Sequence, residues 1–526
     1  MYDIKRLTES IKRLTNVGIA LSATQDINAF FELILKEAMF FTNADAGTVY
    51  TVSDDQQHLD FKVVCTKSKK LHMGTADTSK WPPVQLYDAD GNKRMKNFVA
   101  YVYHTKEPKK INDVYKQDLF DASGTKKYDR ANNYKSISMA AIPLKNHEND
   151  ILGVVQLINA IDDDGEIVPF AKRNIIFLDS LASQAAIALS NKKLIQNLEK
   201  LLHQFIKSIA KAIDRKSKNT GGHITRVATL SEMLFQKVNE DNTIFKDYKF
   251  DEDEIQELSI AGWMHDVGKI TTPVYIMDKS KKLETIFDRI EMVKTRIDMV
   301  IAIIERDKAL APKEKYGEFD KIINEVKEYK EILITCNESS EYMNDEIYNK
   351  LTEIFTFNYS SEGKNYFIIT EDEFNNLSIR KGTLIPKEME KMHEHASVTL
   401  ELLDELTFPK KFRNVPLFAA SHHEKLNGKG YPSQLTEDEL PLQARVIAVA
   451  DIFEALTASD RPYKSDKTLS QTFKILAFMA KDRDIDPDLL TLFIDSGLFT
   501  QYANIYLKPH QIDDVDFEII KKIYQN

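Results

Sequence analysis

The stretch Trp263-Met264-His265-Asp266-Val267-Gly268-Lys269-Ile270 decides how the second half of this 526-residue chain is read. A histidine followed directly by an aspartate sets an imidazole nitrogen beside a carboxylate, a mixed donor set that iron, manganese and zinc ions favour. Upstream, Ile255, Leu258, Ile260, Ala261 and Trp263 are apolar at roughly helical spacing, and Asp251, Glu252, Asp253 and Glu254 crowd the start. Acidic residues suit a helix N-terminus, so the pattern predicts a helix that carries His265-Asp266 near its C-terminal end and stops at Gly268. A lone His-Asp pair is usually an ordinary surface or core dipeptide. What decides its meaning is whether the chain supplies more ligands.

Four further stretches do so. His223 follows Gly221-Gly222 and opens a helix with Val227, Leu230 and Leu234 on its apolar face. Thr383-Leu-Ile-Pro-Lys-Glu marks another helix start, on which Met389, Met392, His395 and Thr399 share a side. His395 therefore points inward and His393 elsewhere. Pro416 suits a first helical turn, and the apolar run after it ends in His422-His423-Glu424, ahead of Gly428-Lys-Gly430-Tyr431-Pro432. Adjacent helical side chains diverge by about 100°, so His422 and His423 can face different metals. Last, Ala444-Arg-Val-Ile-Ala-Val-Ala-Asp451 continues into an almost wholly apolar helix, read with one carboxylate, Asp451, in its middle. A buried carboxylate has to be paired or bind a metal. The set is then His223, His265, Asp266, His395, His422, His423 and Asp451. Five imidazoles and two carboxylates exceed what one metal requires. With one carboxylate bridging, they suit two metals about 3.5–4 Å apart.

The length suggests roughly two to four domains. At 43% hydrophobic and 29% charged residues the chain can bury sizeable cores. Lys+Arg 71 against Asp+Glu 81 gives a net charge of -10, which argues against broad nucleic-acid affinity. Two cysteines, Cys65 and Cys336, are too few for a disulfide framework or a cysteine metal site. No signal peptide opens the sequence, and no apolar run approaches the roughly 18 residues that span a membrane. A cytoplasmic location is the default expectation.

The first half has a different pattern. Ile4, Leu7, Ile11, Leu14, Gly18 and Leu21 repeat at intervals of three and four, a coiled-coil-like helix over 1–22. A second helix is expected from about Asn28 to Phe41. Gly47-Thr-Val-Tyr-Thr-Val52 and Leu59-Asp-Phe-Lys-Val-Val-Cys65 alternate like half-buried strands. A helix is expected near Phe98 to His104, and 138–144 and 151–159 read as a hairpin across the polar turn 145–150. With Ala140-Ala-Ile-Pro-Leu144, Leu152-Gly-Val-Val-Gln-Leu-Ile-Asn159, Phe177 and Leu178, this half resembles a GAF domain, a small-molecule sensor module. GAF domains that bind cyclic nucleotides carry Asn-Lys, then Phe, then Asp-Glu. Here Ala160 follows Asn159, and Ala-Lys-Arg-Asn follows Phe170, so that motif is broken and the ligand is left unknown. Along the exit helix, Leu178, Leu181, Ala185 and Ala188 form one heptad seam. Ile195, Leu198, Leu202, Phe205, Ile209 and Ala212 form a second, out of phase with the first. A parallel homodimer through the GAF and linker helices is expected.

The second half resembles an HD-GYP domain, a subgroup of the HD phosphohydrolases. The resemblance rests on Gly222-His223-Ile-Thr-Arg-Val, His265-Asp266-Val-Gly-Lys269-Ile, His422-His423-Glu with Asn427-Gly428-Lys-Gly430-Tyr431-Pro432, and Asp451-Ile-Phe-Glu-Ala-Leu-Thr with Asp460-Arg461-Pro462-Tyr463-Lys464. It implies an all-helical fold, iron or manganese, and hydrolysis of cyclic di-GMP to pGpG or GMP. The seven residues above match the family's metal ligands, with Asp266 bridging. Lys269 lies near the scissile phosphate, and Arg461 and Lys464 match positions that hold substrate phosphates. The Gly428, Gly430, Tyr431, Pro432 loop is the family signature and is open to a protein partner. Asn219 stands where some members place a Glu for a third metal, which favours a two-metal site. Thr399 stands where many members have Gly.

About a hundred residues between Lys282 and Gly382 have no counterpart in the compact domain. Ile286, Ile290, Val293, Ile297, Val300 and Ile304 predict one amphipathic helix, and Phe319, Ile322, Val326, Tyr329 and Leu333 another. A shorter helix near 344–356 and a loop with Tyr366-Phe-Ile-Ile follow. The expected architecture is multidomain. An N-terminal helix (1–22) precedes an α+β GAF-like sensor domain (23–190) and a helical coiled-coil linker (191–216). Then come an all-α HD-type metal-dependent phosphohydrolase domain (217–480) with an insertion at about 283–382, and a C-terminal helical extension (481–526). Rival readings are a phosphodiesterase for another cyclic dinucleotide such as cyclic GMP-AMP, a mononucleotidase, and a non-catalytic cyclic-dinucleotide receptor.

Overall fold

Alternation builds the first unit. Successive side chains of a strand face opposite sides of a sheet, and here both sides are covered. The computed structural model describes residues 2–24, 26–74, 77, 81–217, 221–338, 342–458 and 466–525, with side chains from residue 11 onward. It divides into two units, 1–201 and 202–526. In the first, an antiparallel sheet runs β3-β2-β1-β7-β6-β5, with β4 on β2 and β8 on β7. The long strands are β1 (Ala44–Val52), β2 (His58–Thr66), β6 (Met139–Lys145) and β7 (Ile151–Ile161). The short ones are β3 (Leu71–Met73), β4 (Val84–Gln85), β5 (Lys109–Ile111) and β8 (Ile167–Val168). Val49, Val155 and Leu157 pack on one side, against Val17, Leu21, Phe30 and Ile34 of the first two helices. Tyr50 and Val154 pack on the other side, with Phe98, Val99 and Val102. The expected helices and long strands are all present; the four short strands and the helix Ser123–Asn132 are additions.

The Lys172–Asp214 helix corrects the reading of its first seam, while Ile195, Leu198 and Phe205 of the second are exposed. Leu178, Leu181 and Ala185 are buried in the first unit's own core and do not face outward. The exposed stripe in that unit is instead Ile187, Leu194, Leu198 and Leu201. From Leu202 onward the helix belongs to the second unit, where Ile206, Ala210 and Ile213 enter the core.

Among the described residues, nine further helices carry that core: His223–Glu240, Glu252–Met264, Pro386–Asp404, Val415–Ala420, Leu442–Thr457, Leu469–Lys481, Pro487–Asp495, Leu498–Tyr506 and Phe517–Gln525. Asp251 caps the second of these in a reciprocal capping box with Glu254. The insertion has a separate core of Val293, Ile297, Val300, Val326, Leu333 and their neighbours. Two expectations change there. The first helix starts at Ile290, leaving Ile286 94% exposed. The expected loop at Tyr366 is a hairpin of β9 (Asn358–Ser361) and β10 (Lys364–Phe367). Its two-residue turn, Glu362-Gly363, has φ of 49° and 73°, the left-handed geometry a tight hairpin needs. Two lysines pin the insertion's roots. Lys279, its side chain fully buried, donates to Asn376 and Glu388, and Lys282 donates to the carbonyls of Leu377 and Ile379.

The Leu442–Thr457 helix is set by aromatic packing. Phe453 lies 5.0 Å from Phe493 and 5.6 Å from Tyr502, ring centre to ring centre. Phe493→Ala is expected to lower the unfolding free energy by about 3–5 kcal/mol, the usual cost of emptying an aromatic core site; denaturant titration followed by circular dichroism checks it.

Candidate metal centre

Three of the histidines are held by one local device. The Nδ1 atoms of His265, His395 and His422 bond to the carbonyls three residues earlier, of Gly262 (2.8 Å), Met392 (2.5 Å) and Ala419 (2.7 Å). Each ring is thereby fixed with Nε2 aimed away from its own backbone. Carbonyl bonding of one ring nitrogen is the arrangement that prepares the other for a metal.

The Nε2 atoms converge on Asp266, which is 1% exposed. Its Oδ2 lies 3.3 Å from His223 Nε2 and 3.2 Å from His265 Nε2. Its Oδ1 lies 3.5 Å from His395 Nε2 and 3.9 Å from His422 Nε2. Asp451 Oδ1 lies 3.3 Å from His223 Nε2, on the Oδ2 side, and His423 Nε2 lies 3.2 Å from His395 Nε2, on the other. Donor atoms of His223, His265 and Asp451 lie within 4.8 Å of one another, as do those of His395, His422 and His423. All seven residues therefore meet, as two groups of three with Asp266 between them, and donor atoms of His265, Asp266 and His422 also lie within 4.8 Å of one another. Among the described residues, His265 Nε2, Asp266 Oδ1 and His422 Nε2 are buried with no hydrogen-bond partner. Orphaned polar atoms of this kind are costly, and a metal cation fits the donor set that leaves them.

Electrostatics favour the same reading for His395, His422 and His423. Burial holds the His395 and His422 imidazoles below the usual histidine range and takes His423 down to about 3. These rings stay neutral, with a lone pair to give. Burial would raise Asp266 and Asp451, but the Lys269 ammonium beside Asp266 and the hydrogen bond from His223 to Asp451 outweigh it and hold both carboxyls low.

Other residues support the ligands. Lys269 Nζ lies 2.5 Å from Asp266 Oδ2. Gly268 is forced by packing, since a Cβ there would sit 2.0 Å from the His395 carbonyl oxygen. Thr399 Oγ1 donates to the His265 carbonyl at 3.1 Å and accepts from Gly268 N at 3.0 Å. In the Gly428–Pro432 loop, Tyr431 stacks on His393 (4.1 Å, 18°) and lies 4.8 Å from His423. His393, read as pointing away from the ligand side, thus backs the signature tyrosine. Arg461, Lys464 and Asn219 lie outside the described residues.

The reading of one carboxylate in the Leu442–Thr457 helix is corrected by Glu454. It is 1% exposed, and its Oε2 lies 2.5 Å from His223 Nδ1 while Oε1 accepts from Arg226 Nε at 2.6 Å. Burial disfavours a charged His223, but Glu454, Asp266 and Asp451 outweigh it and hold that imidazole well above its usual range. The signal was present: Glu454 follows Asp451 by three residues, and Arg226 follows His223 by three, so each pair shares a helix face.

Glu454→Gln is expected to weaken divalent-cation binding roughly 10–100-fold, as loss of a histidine-orienting carboxylate does; metal titration monitored by calorimetry checks it. Comparison with known proteins agrees with the two-unit division. A GAF domain model matches residues 26–189, and an HD domain model matches residues 371–489. The chain is 30% identical over 135 residues to a cyclic di-GMP phosphodiesterase of Thermotoga maritima, covering 26% of this chain and 35% of that protein. It is 37% identical over 110 residues to the cyclic di-GMP phosphodiesterase response regulator RpfG of Xanthomonas campestris pv. campestris, covering 21% and 28%. It is 37% identical over 111 residues to 3′3′-cGAMP-specific phosphodiesterase 3 of Vibrio cholerae serotype O1, covering 21% and 23%. The matches thus span about a third or less of these relatives. This chain carries a GAF domain in its N-terminal half and an HD domain in its C-terminal half.

Proposed function

We propose that the chain is a metal-dependent phosphodiesterase that hydrolyses cyclic di-GMP to pGpG or GMP, under control of its GAF domain. The observation that carries this reading is the shared carboxylate: Asp266 turns one oxygen toward His223 and His265 and the other toward His395 and His422. His223, His265, Asp266 and Asp451 would hold one divalent ion, and His395, His422, His423 and Asp266 a second. Two ions of the iron or manganese class supply Lewis acidity toward a phosphodiester and acidify water.

The chain's own groups do the rest. Lys269, with 21% of its side chain accessible, stands where an ammonium can offset charge growing on phosphoryl oxygens as water oxygen bonds to phosphorus and the bond to the 3′ oxygen breaks. Arg461 and Lys464 are proposed to grip the substrate's phosphates, Arg461 through its planar fork. Tyr431 walls the His423 side of the centre. A protein partner at this loop would then meet the exposed Ser433 and Gln434.

Cyclic GMP-AMP is the second reading, because the Vibrio cholerae relative named for it is as similar over its matched length as the cyclic di-GMP relative from Xanthomonas.

The GAF domain has a cavity of about 370 Å³ walled by Phe61, Trp81, Phe98, Phe120, Tyr128 and Tyr134, among others. Asp121 is the one charged side chain among its described lining residues. With no basic group to meet a phosphate, the cavity suits a flat uncharged ligand better than a cyclic nucleotide, in line with the broken motif. The exposed stripe Ile187, Leu194, Leu198 and Leu201, spaced seven, four and three, is proposed to pair with a second copy.

Anaerobically purified protein should release pGpG or GMP from cyclic di-GMP on chromatography; release from cyclic GMP-AMP alone would transfer the activity to the second reading. Asp266→Ala should lose both bound metal and turnover. Lys269→Ala should keep metal and lose roughly 10²–10³-fold in kcat. Sedimentation should show a dimer that Leu198→Glu dissociates.

A further inference from the structure

The stretch that carries Asp266 and Lys269 is short and irregular. After the Glu252–Met264 helix, the backbone makes the tight turn Val267–Ile270 and runs on to the Val274–Met277 helix. The carbonyls at the end of such a turn are open to outside donors, although that of Lys269 already accepts from Thr272 N at 3.1 Å. Three of them converge on a single side chain. Lys216 Nζ donates to the carbonyls of Lys269 at 3.0 Å, Ile270 at 2.5 Å and Thr272 at 2.7 Å. An ammonium has three N–H donors and no acceptor, so every donor of Lys216 is engaged within six residues of Asp266. The next residue adds a second tie, its Ser217 hydroxyl donating to the Asp278 carboxylate. Asp278 ends the Val274–Met277 helix.

The turn is therefore clamped from two separate elements. Thr399 holds it at His265 and Gly268, from the helix that also supplies His395. Lys216 belongs to no element that supplies a ligand; it stands two residues beyond the end of the Lys172–Asp214 helix.

We propose that Lys216 is a positioning residue of the centre: it fixes the turn that presents Asp266 and Lys269, and it makes the place of that turn depend on the end of the Lys172–Asp214 helix. The hydrogen bonds of Lys216 Nζ all go to backbone carbonyls, so it acts through the backbone of the turn. The end of the Lys172–Asp214 helix thereby has a hold, within the second unit, on the segment that carries Asp266 and Lys269.

The rate consequence rests on the phosphodiesterase reading; the clamp itself does not. Lys216→Met keeps the length of the stem and removes all three donors. Hydrogen–deuterium exchange of the full-length protein should speed up in the peptide covering 265–273 and stay unchanged in the one covering 415–423. Metal content should be retained, and kcat on cyclic di-GMP should fall roughly ten- to hundredfold with KM little altered, as expected for misplacement by a fraction of an ångström to one ångström. Unchanged exchange at 265–273 would overturn the clamp, whatever the wild-type chain hydrolyses. Faster exchange with unchanged kcat would overturn the positioning role. If wild-type protein turns over no cyclic dinucleotide, the functional reading fails while exchange still decides the clamp. Should Lys216→Met not fold, Lys216→Arg serves. It keeps the charge but cannot bring three donors to one point, so a smaller change in the same direction is expected, and no change in exchange again overturns the proposal.

Discussion

Asp266 lies within 4 Å of four imidazoles and one ammonium while almost wholly removed from water. A carboxylate in that position is tolerable only if its charge is met on both oxygens. Much of the second unit arranges that meeting. The His223–Glu240, Pro386–Asp404 and Leu442–Thr457 helices and the segments just after Glu252–Met264 and Val415–Ala420 bring one or two donors each to the same point, although the sequence scatters them over more than two hundred residues. Removing the carboxylate would leave two groups of three donors with nothing to share.

Precision comes from the backbone as much as from side chains. His265, His395 and His422 each bond a carbonyl three residues back, so each ring is oriented by the end or the turn of its own helix. His223 opens its helix, and Glu454 takes that role from another helix. The close approach of Gly268 to the His395 carbonyl locks two of these segments together with no space for a side chain. Rigid placement of this kind is what chemistry at phosphorus demands, since misplacement by an ångström carries a large rate cost.

The convergence of these seven residues was legible in the sequence because several of them break a local pattern. Asp451 interrupts an apolar helix, and His422-His423 end one. Glu454 was hidden by the same helix: one carboxylate explained the break, and the second, one turn later on the same face, was passed over. The seam at Leu178, Leu181 and Ala185 was read as an outward coiled-coil face, yet period alone cannot say whether an apolar stripe meets a second copy or the domain's own sheet. In the insertion, the Glu362-Gly363 hairpin was missed because Glu is rare at a left-handed position, while the two long amphipathic helices announced themselves. Lys216 carries no sequence signal, since a lysine after a helix ordinarily ends in solvent.

The division of ligands about Asp266 is the central claim, and anomalous scattering from crystals of the anaerobically prepared protein tests it most directly. Data collected at the iron and manganese edges should show two peaks about 3.5–4 Å apart, one on each side of the Asp266 carboxylate. A single peak bound by one histidine group, with Asp266 contributing one oxygen only, would contradict the account.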